Sequence, residues 1–345
     1  MSRPVLNGIL DTIGNTPLVE LTNVFPGFGS RVFAKMERFN PGGSIKDRSA
    51  LGMLLTRIRQ GELVPGRSVV VESSSGNLAI GIAQICKYFG IDFICVVDAK
   101  TTTQNLALLS AYGARVEVVR TPDPVTGEYL GSRLDRVREL VATVPGAYWP
   151  NQYANPLNPQ AHHRTMREIA EALDGKVDYL FSPVSTCGTL LGCAGYIDQH
   201  GLSTTVVAVD AVGSAIFGQP HARRLIPGHG ASVPPALHDP AAADEVTHVS
   251  DLDCLVACRR MVNREGILIG GSSGAATAAL DGFRDRIPDG SNCVLIFPDG
   301  GDRYLDTIYS DAWVETNFGE VSHLWKNSLT TVTDSPRPAA AIAGA

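Results

Sequence analysis

The segment Asn40-Pro41-Gly42-Gly43-Ser44-Ile45-Lys46-Asp47-Arg48 concentrates residues that could do chemistry. Its Pro-Gly-Gly turn lets the backbone approach another group closely. Lys46 follows at the start of a helix, where the positive end of the helix dipole disfavours an ammonium. A helix N-terminus with partial burial lowers a lysine pKa and makes the free amine a nucleophile. An exposed loop lysine is the plainer alternative. Lysine is scarce: of 29 basic residues only Lys35, Lys46, Lys87, Lys100, Lys176 and Lys326 carry an amine, and the other 23 (29 − 6) are arginine. Only Lys46 has a glycine turn before it and a helix after it.

Four more loops join strands to turns or helix N-termini. Glu72-Ser73-Ser74-Ser75-Gly76-Asn77 offers three hydroxyls and free backbone N–H groups, a pattern suited to a carboxylate. One serine would suffice as an N-cap. Ser185-Thr186-Cys187-Gly188-Thr189 adds hydroxyl donors to a helix start and fits a phosphate cradle. It is neither a Walker loop nor a dinucleotide fingerprint. Gly270-Gly271-Ser272-Ser273-Gly274 opens another helix, and Phe297-Pro298-Asp299-Gly300-Gly301 ends a strand in a tight turn. Each alone could be a simple connection. Together they put anion-ready loops at strand ends, where open α/β sheets bind ligands. A Schiff-base lysine beside a phosphate cup is what pyridoxal 5′-phosphate (PLP) requires.

The elements that position these loops alternate. Strands are expected over residues 31–37, 68–72, 92–97, 115–119, 177–184, 205–210 and 293–297. Helices are expected over 47–61, 76–89, 103–112, 129–143, 188–200, 254–266 and 273–286. The strands are short apolar runs, as expected when helices cover both faces. Strand–helix alternation over most of the chain predicts an α/β fold with a largely parallel sheet.

The chain has 345 residues, room for about two domains. A net charge of −6 argues against a nucleic-acid or anionic-membrane surface. No apolar stretch reaches the roughly 18 residues of a spanning helix. The N-terminal apolar run is broken by Asn7 and Asp11, which excludes a secretory signal. Seven cysteines without a Cys-x-x-Cys read as reduced thiols of a cytoplasmic protein. The pair His162-His163 lacks zinc spacing with cysteine, so a solvated or capping role is expected and no metal.

In this order the motifs resemble the fold-type II PLP enzymes, the tryptophan synthase β-like fold, and within them the cysteine synthase and cystathionine β-synthase family. The matching segments are Thr12–Val19, Asn40–Arg48, Ser74–Asn77, Asn151–Pro156, Glu265–Ser272 and Phe297–Leu305. The resemblance spans about residues 8–310 and implies two α/β domains. Residues 1–46 and 153–325 would form the large PLP-binding domain, 47–152 a small movable domain, and 326–345 a disordered tail. It implies that Lys46 carries the cofactor, that Asn77 bonds its ring oxygen, that Ser185, Thr186, Cys187, Gly188 and Thr189 hold its phosphate, and that Ser272 faces the pyridine nitrogen. Ser74, Ser75 and Gln152 would hold a substrate α-carboxylate, and the protein would be a homodimer.

A neutral serine opposite the pyridine nitrogen leaves the ring a weaker electron sink than a carboxylate would. Loss of a β-leaving group is then favoured over transamination. Lys46, once displaced, is the base for the Cα proton. The sequence departs from cysteine synthases at Leu78-Ala79, at Cys187 in the phosphate loop, at Ala161–Ile169 and at Val209–Gly218. These variants resemble the siderophore and antibiotic branch that makes 2,3-diaminopropionate precursors by joining O-phospho-L-serine to L-glutamate. Two acidic substrates would need cations, with Arg48, Arg164, Arg167, Arg223 and Arg303 as candidates. An O-acetylserine or O-phosphoserine sulfhydrylase is the rival enzyme, and a non-catalytic PLP-fold binding or regulatory protein is the rival of another class.

Overall fold

Cys293 to Phe297 shows how the sequence builds its cores. Successive side chains of this strand go to opposite faces. Cys293, Leu295 and Phe297 enter one hydrophobic cluster, Val294 and Ile296 another. The computed structural model describes residues 5–122, 129–220 and 222–326. In chain order its main elements are β1 (Leu18–Glu20), β2 (Arg31–Met36), α1 (Lys46–Arg59), β3 (Val69–Ser73), α2 (Asn77–Phe89), β4 (Asp92–Asp98), α3 (Thr103–Ala111), β5 (Arg115–Val119), α4 (Tyr129–Thr143), β6 (Ala147–Tyr148), α5 (Leu157–Ala172), β7 (Tyr179–Pro183), α6 (Gly188–His200), β8 (Thr205–Ala211), β9 (Glu245–Val249), α7 (Asp251–Glu265), α8 (Gly271–Phe283), β10 (Asn292–Phe297), α9 (Asp311–Phe318) and α10 (His323–Lys326).

Two sheets result. One has six strands in the order β1-β2-β10-β7-β8-β9, the other four in the order β5-β4-β3-β6. Every pairing is parallel except β1 with β2. On the larger sheet one core takes Cys254, Met261 and Leu280 from α7 and α8, and the other takes Met166, Ile169, Leu190 and Cys193 from α5 and α6. The smaller sheet buries Val70, Phe93, Cys95 and Val97 against α1 and α2, and Val71, Ile94 and Val96 against Val137 and Leu140 of α4. The α/β expectation holds. Helix α1 packs on both α2 and α5, so the element that begins with Lys46 touches the helices of both sheets.

Strands β1, β6 and β9 and helices α5, α9 and α10 are not expected from the sequence. Glu245-Val-Thr-His-Val is polar and β9 is an edge strand, so the continuous apolar signal is absent there. In α5, Pro159 hides the helix by sitting in its first turn, where a missing N–H breaks no bond. All seven cysteines are buried and unbridged. Lys326, placed at the head of the expected tail, closes α10, and residues 327–345 lie outside the described ones. Among the described residues no helix is long and apolar enough to cross a membrane.

Candidate active site

The turn before Lys46 is fixed by its own glycines and by the end of β10. Gly43 has φ +84, a conformation that favours glycine. A side chain at Gly42 would strike the Asp47 carboxylate, which instead accepts the Gly42 N–H at 2.6 Å. Ile45 N–H donates to Pro298 O at 2.8 Å. Lys46 is thus delivered as the first residue of α1. Burial holds its amine below the usual lysine range, and the nearby Asp299 opposes that shift.

Lys46 borders a small cavity of about 30 Å³ together with Ser185, Thr186, Cys187, Gly188, Thr189 and Ser272. Ile45 and Ile296 supply apolar wall. The sequence motifs around residues 46, 185–189 and 272 therefore converge. The first turn of α6 leaves backbone N–H groups without helical partners, at the end of the helix that favours an anion. Asn158 buttresses this cup by donating to Gln152 O at 2.8 Å and Thr186 Oγ1 at 3.5 Å. Cys187 adopts φ +64 as the residue before α6, and burial pushes its thiol up to about 12. A larger recess of about 430 Å³ lies among Phe25, β9, α7 and α8 and shares no lining residue with the Lys46 cavity.

Asn77, Ser74, Ser75 and Gln152 do not line that cavity. Asn77 joins the constellation through Asp299, whose Oδ2 accepts the Asn77 amide N–H at 2.7 Å. The Ser74 hydroxyl accepts from Gly76 N at 3.4 Å and Ala79 N at 3.3 Å, capping α2. Its own proton remains available to an acceptor. Gln152 is tied to β3: its N–H donates to Glu72 at 3.3 Å and its side chain to Ser73 O at 3.4 Å. The fully buried Glu72 also accepts from Trp149 at 3.0 Å, pinning the serine loop to the segment that carries Gln152.

The five candidate arginines have different fates. Arg48 is buried and bound to Glu37 and Glu168, away from any substrate role. Arg164 rests on Glu168 at 3.1 Å, Arg167 faces the exposed Glu171 at 3.8 Å, and Arg223 is exposed. Arg303 alone enters the constellation, donating to Asn77 Oδ1 and to Gly42 O. Arg133 of α4 escaped the sequence reading. It donates to Ser75 Oγ at 3.4 Å, pairs with Asp98 at 3.2 Å, and keeps a buried Nε without a partner. No local motif marks it, because it stands 58 residues from Ser75 on an amphipathic helix. The solvated or capping role expected for the pair His162-His163 is corrected for His162. Its ring is buried between Ser49 Oγ at 2.9 Å and Thr165 Oγ1 at 3.2 Å, and burial holds it neutral.

Residues 9–299 match the family model for pyridoxal-phosphate dependent enzymes. The chain is 45% identical over 311 residues to the N-(2-amino-2-carboxyethyl)-L-glutamate synthase of Ralstonia nicotianae, covering 90% of this chain and 91% of that one. Among solved structures it resembles O-ureido-L-serine synthase, with TM-score 0.82, 31% identity, and coverage of 90% of this chain and 99% of that one. The cysteine synthase of Entamoeba histolytica gives TM-score 0.81 and 33% identity over 90% and 93% of the two chains.

Proposed function

The chain belongs to the pyridoxal-phosphate dependent enzyme family, and we propose that it joins O-phospho-L-serine to the α-amine of L-glutamate, giving N-(2-amino-2-carboxyethyl)-L-glutamate and phosphate. The observation that carries this reading is Arg133, a guanidinium set on Ser75 with one buried N–H unspent. A dicarboxylic co-substrate needs such a cation, and sulfide does not. The 45% identical synthase supports the same choice.

The residues around the cavity fit the cofactor. They comprise an amine with a lowered pKa, a hydroxyl-lined helix N-terminus for a phosphate, and a neutral serine at the start of α8. When bound, the cofactor withdraws electrons from the substrate Cα and so permits loss of a proton and of a β-substituent. Lys46 would hold the cofactor through its amine and, when that amine is free, would be the base placed to take the substrate Cα proton. Ser185, Thr186, Cys187, Gly188 and Thr189 bind the phosphate group through hydroxyls and backbone N–H groups. Ser272 supplies an uncharged partner to the pyridine nitrogen, and Asn77 a donor to the ring oxygen. Ser74, Ser75 and Gln152 grip the α-carboxylate. As the leaving phosphate departs, Arg133 orients glutamate by a carboxylate so that its amine reaches the β-carbon. Lys46 then returns the proton to Cα.

The small domain, residues 47–152, would close over the larger one, 1–46 with 153–325, during this cycle. The working form would be a cytoplasmic homodimer. Incubation with O-phosphoserine plus either glutamate or sulfide, followed by mass analysis, tests the function. The glutamate adduct is expected. Cysteine as sole product would replace this reading with a sulfhydrylase.

A further inference from the structure

Asn77 is held at both ends of its amide by residues from the far end of the chain. Its Nδ2 donates to Asp299 Oδ2 at 2.7 Å, and its Oδ1 accepts from Arg303. Asn77 opens α2 beside the smaller sheet, whereas Asp299 and Arg303 follow β10 of the larger one. Inverting the amide would set its oxygen against a carboxylate and its NH2 against a guanidinium. Both contacts would be repulsive, so one orientation is enforced. An amide NH2 carries two hydrogens. Asp299 takes one, which leaves the other to a further acceptor.

Asp299 is itself caged. Tyr304 Oη donates to the same Oδ2 at 2.7 Å. Its Oδ1 is buried without a partner and lies so close to Gly270 that any side chain there would collide with it. The backbone of the same turn reaches the other two chemical segments. Ser44, in the turn before Lys46, forms a β-bridge with Asp299, and Gly270 N, two residues before Ser272, donates to Asp299 O at 3.3 Å. Arg303 adds a second tie to the lysine turn through Gly42 O at 2.6 Å. One short stretch, 298–303, therefore touches the segments that carry Lys46, Asn77 and Ser272.

We propose that Asp299 and Arg303 are positioning residues that fix Asn77 as a hydrogen-bond donor to the cofactor's ring oxygen and clasp α2 to the lysine turn. The proposal rests on the PLP-dependent reading and concerns neither substrate. Hydrogen bonds with an ionised partner are about twice as strong as neutral pairs. Loss of either clamp frees the amide to rotate and withdraws the donor from the ring oxygen.

The test uses the holoenzyme and reads the bound cofactor spectroscopically. Arg303→Met is expected to move absorbance from the visible band towards the near-ultraviolet one and to weaken cofactor binding about tenfold, the equivalent of roughly 1.4 kcal/mol. Arg303→Lys, which keeps the charge but lacks the two-pronged guanidinium, should give an intermediate spectrum and covers the case in which the methionine variant does not fold. In an Asn77→Ala background neither change should alter the spectrum further. A wild-type spectrum and affinity in a folded Arg303 variant would overturn the proposal, as would an undiminished effect without Asn77. Wild-type protein that takes up no PLP would instead defeat the cofactor reading on which both rest.

Discussion

Arg48 donates to both oxygens of Glu168, at 2.8 and 2.6 Å, while its remaining N–H groups hold Glu37 at 2.7 and 2.9 Å. The pairing ties the first turn of α1 to α5, two residues after Lys46. Lys35 completes the network by donating to Glu168 at 2.7 Å and Thr16 O at 2.7 Å. Two buried cations, with the partly exposed Arg164 at the edge, thus face two buried carboxylates. Arg48→Met removes the cation bonded to the buried Glu37 and leaves Glu168 with Lys35 and the partly exposed Arg164. Breaking a buried pair from one side costs about 3–5 kcal/mol. Urea unfolding of this variant should show a lower midpoint with an unchanged slope. An unshifted midpoint would show that the network does not stabilise the fold.

The same network sets a pH dependence. Burial alone would raise the Glu168 pKa, but hydrogen bonds from Arg48, with Lys35 beside it, bring it down to about 2. A carboxylate whose folded pKa is depressed contributes stability above its unfolded value, about 4.3, and loses it as pH falls towards the folded one. The unfolding midpoint should therefore decline between about pH 4.3 and pH 2. Glu168→Gln should be less stable at neutral pH, with a flatter decline in that window. Parallel curves for the two proteins would refute the assignment.

Lys46→Ala removes the amine that the cavity presents. The variant, mixed with PLP, should show no absorption from a covalent cofactor linkage and no product, while its circular dichroism stays native. Turnover at the wild-type rate would end the proposed mechanism.

Cys187 occupies a left-handed conformation at φ +64 and ψ −2. That geometry costs a side chain about 1–2 kcal/mol, of which the greater unfolded-state freedom of glycine offsets part. Cys187→Gly relieves this strain but also removes a side chain packed in a hydrophobic core, so the melting temperature of the apoprotein should move by only a few degrees, about the shift of 1 kcal/mol. The buried thiol, with its pKa pushed up to about 12, should resist alkylation at neutral pH. Rapid labelling at Cys187 in the folded protein contradicts this account.

Local patterning made much of the fold legible. Apolar runs fixed the inner strands β2, β3, β4, β7, β8 and β10 to within two residues, because both faces of each are covered. Edge strand β9 left no such trace, and α5 was masked by a proline that its first turn tolerates. Lys46, the 185–189 loop and Ser272, which line one cavity, stood out in the sequence because each sits in a loop whose composition is unusual by itself. Asp299 lay within a noted motif and its partner Tyr304 is five residues away, yet its partner Asn77, 222 residues away, emerges only when the turn after β10 is brought beside α2. Arg48 shows the opposite failure. Its charge suggested an acidic ligand, but its partners Glu37 and Glu168 are side chains of the same chain, and no sequence spacing announced that.

Arg133 offers the sharpest test of the second substrate. Its guanidinium lies on Ser75 Oγ and against Asp98, with side-chain exposures of 13% and 10% across the ion pair. Sheltered from solvent, it can bind a carboxylate in a charge-assisted bond of roughly 1.5–3 kcal/mol. Arg133→Gln should therefore raise the KM for glutamate by about 10- to 100-fold. Phosphate release from O-phosphoserine alone should change far less, because that half of the reaction does not involve glutamate. If instead phosphate release falls and the KM for glutamate is unmoved, Arg133 serves the first substrate through Ser75. The cation for glutamate would then have to be sought elsewhere in the cleft.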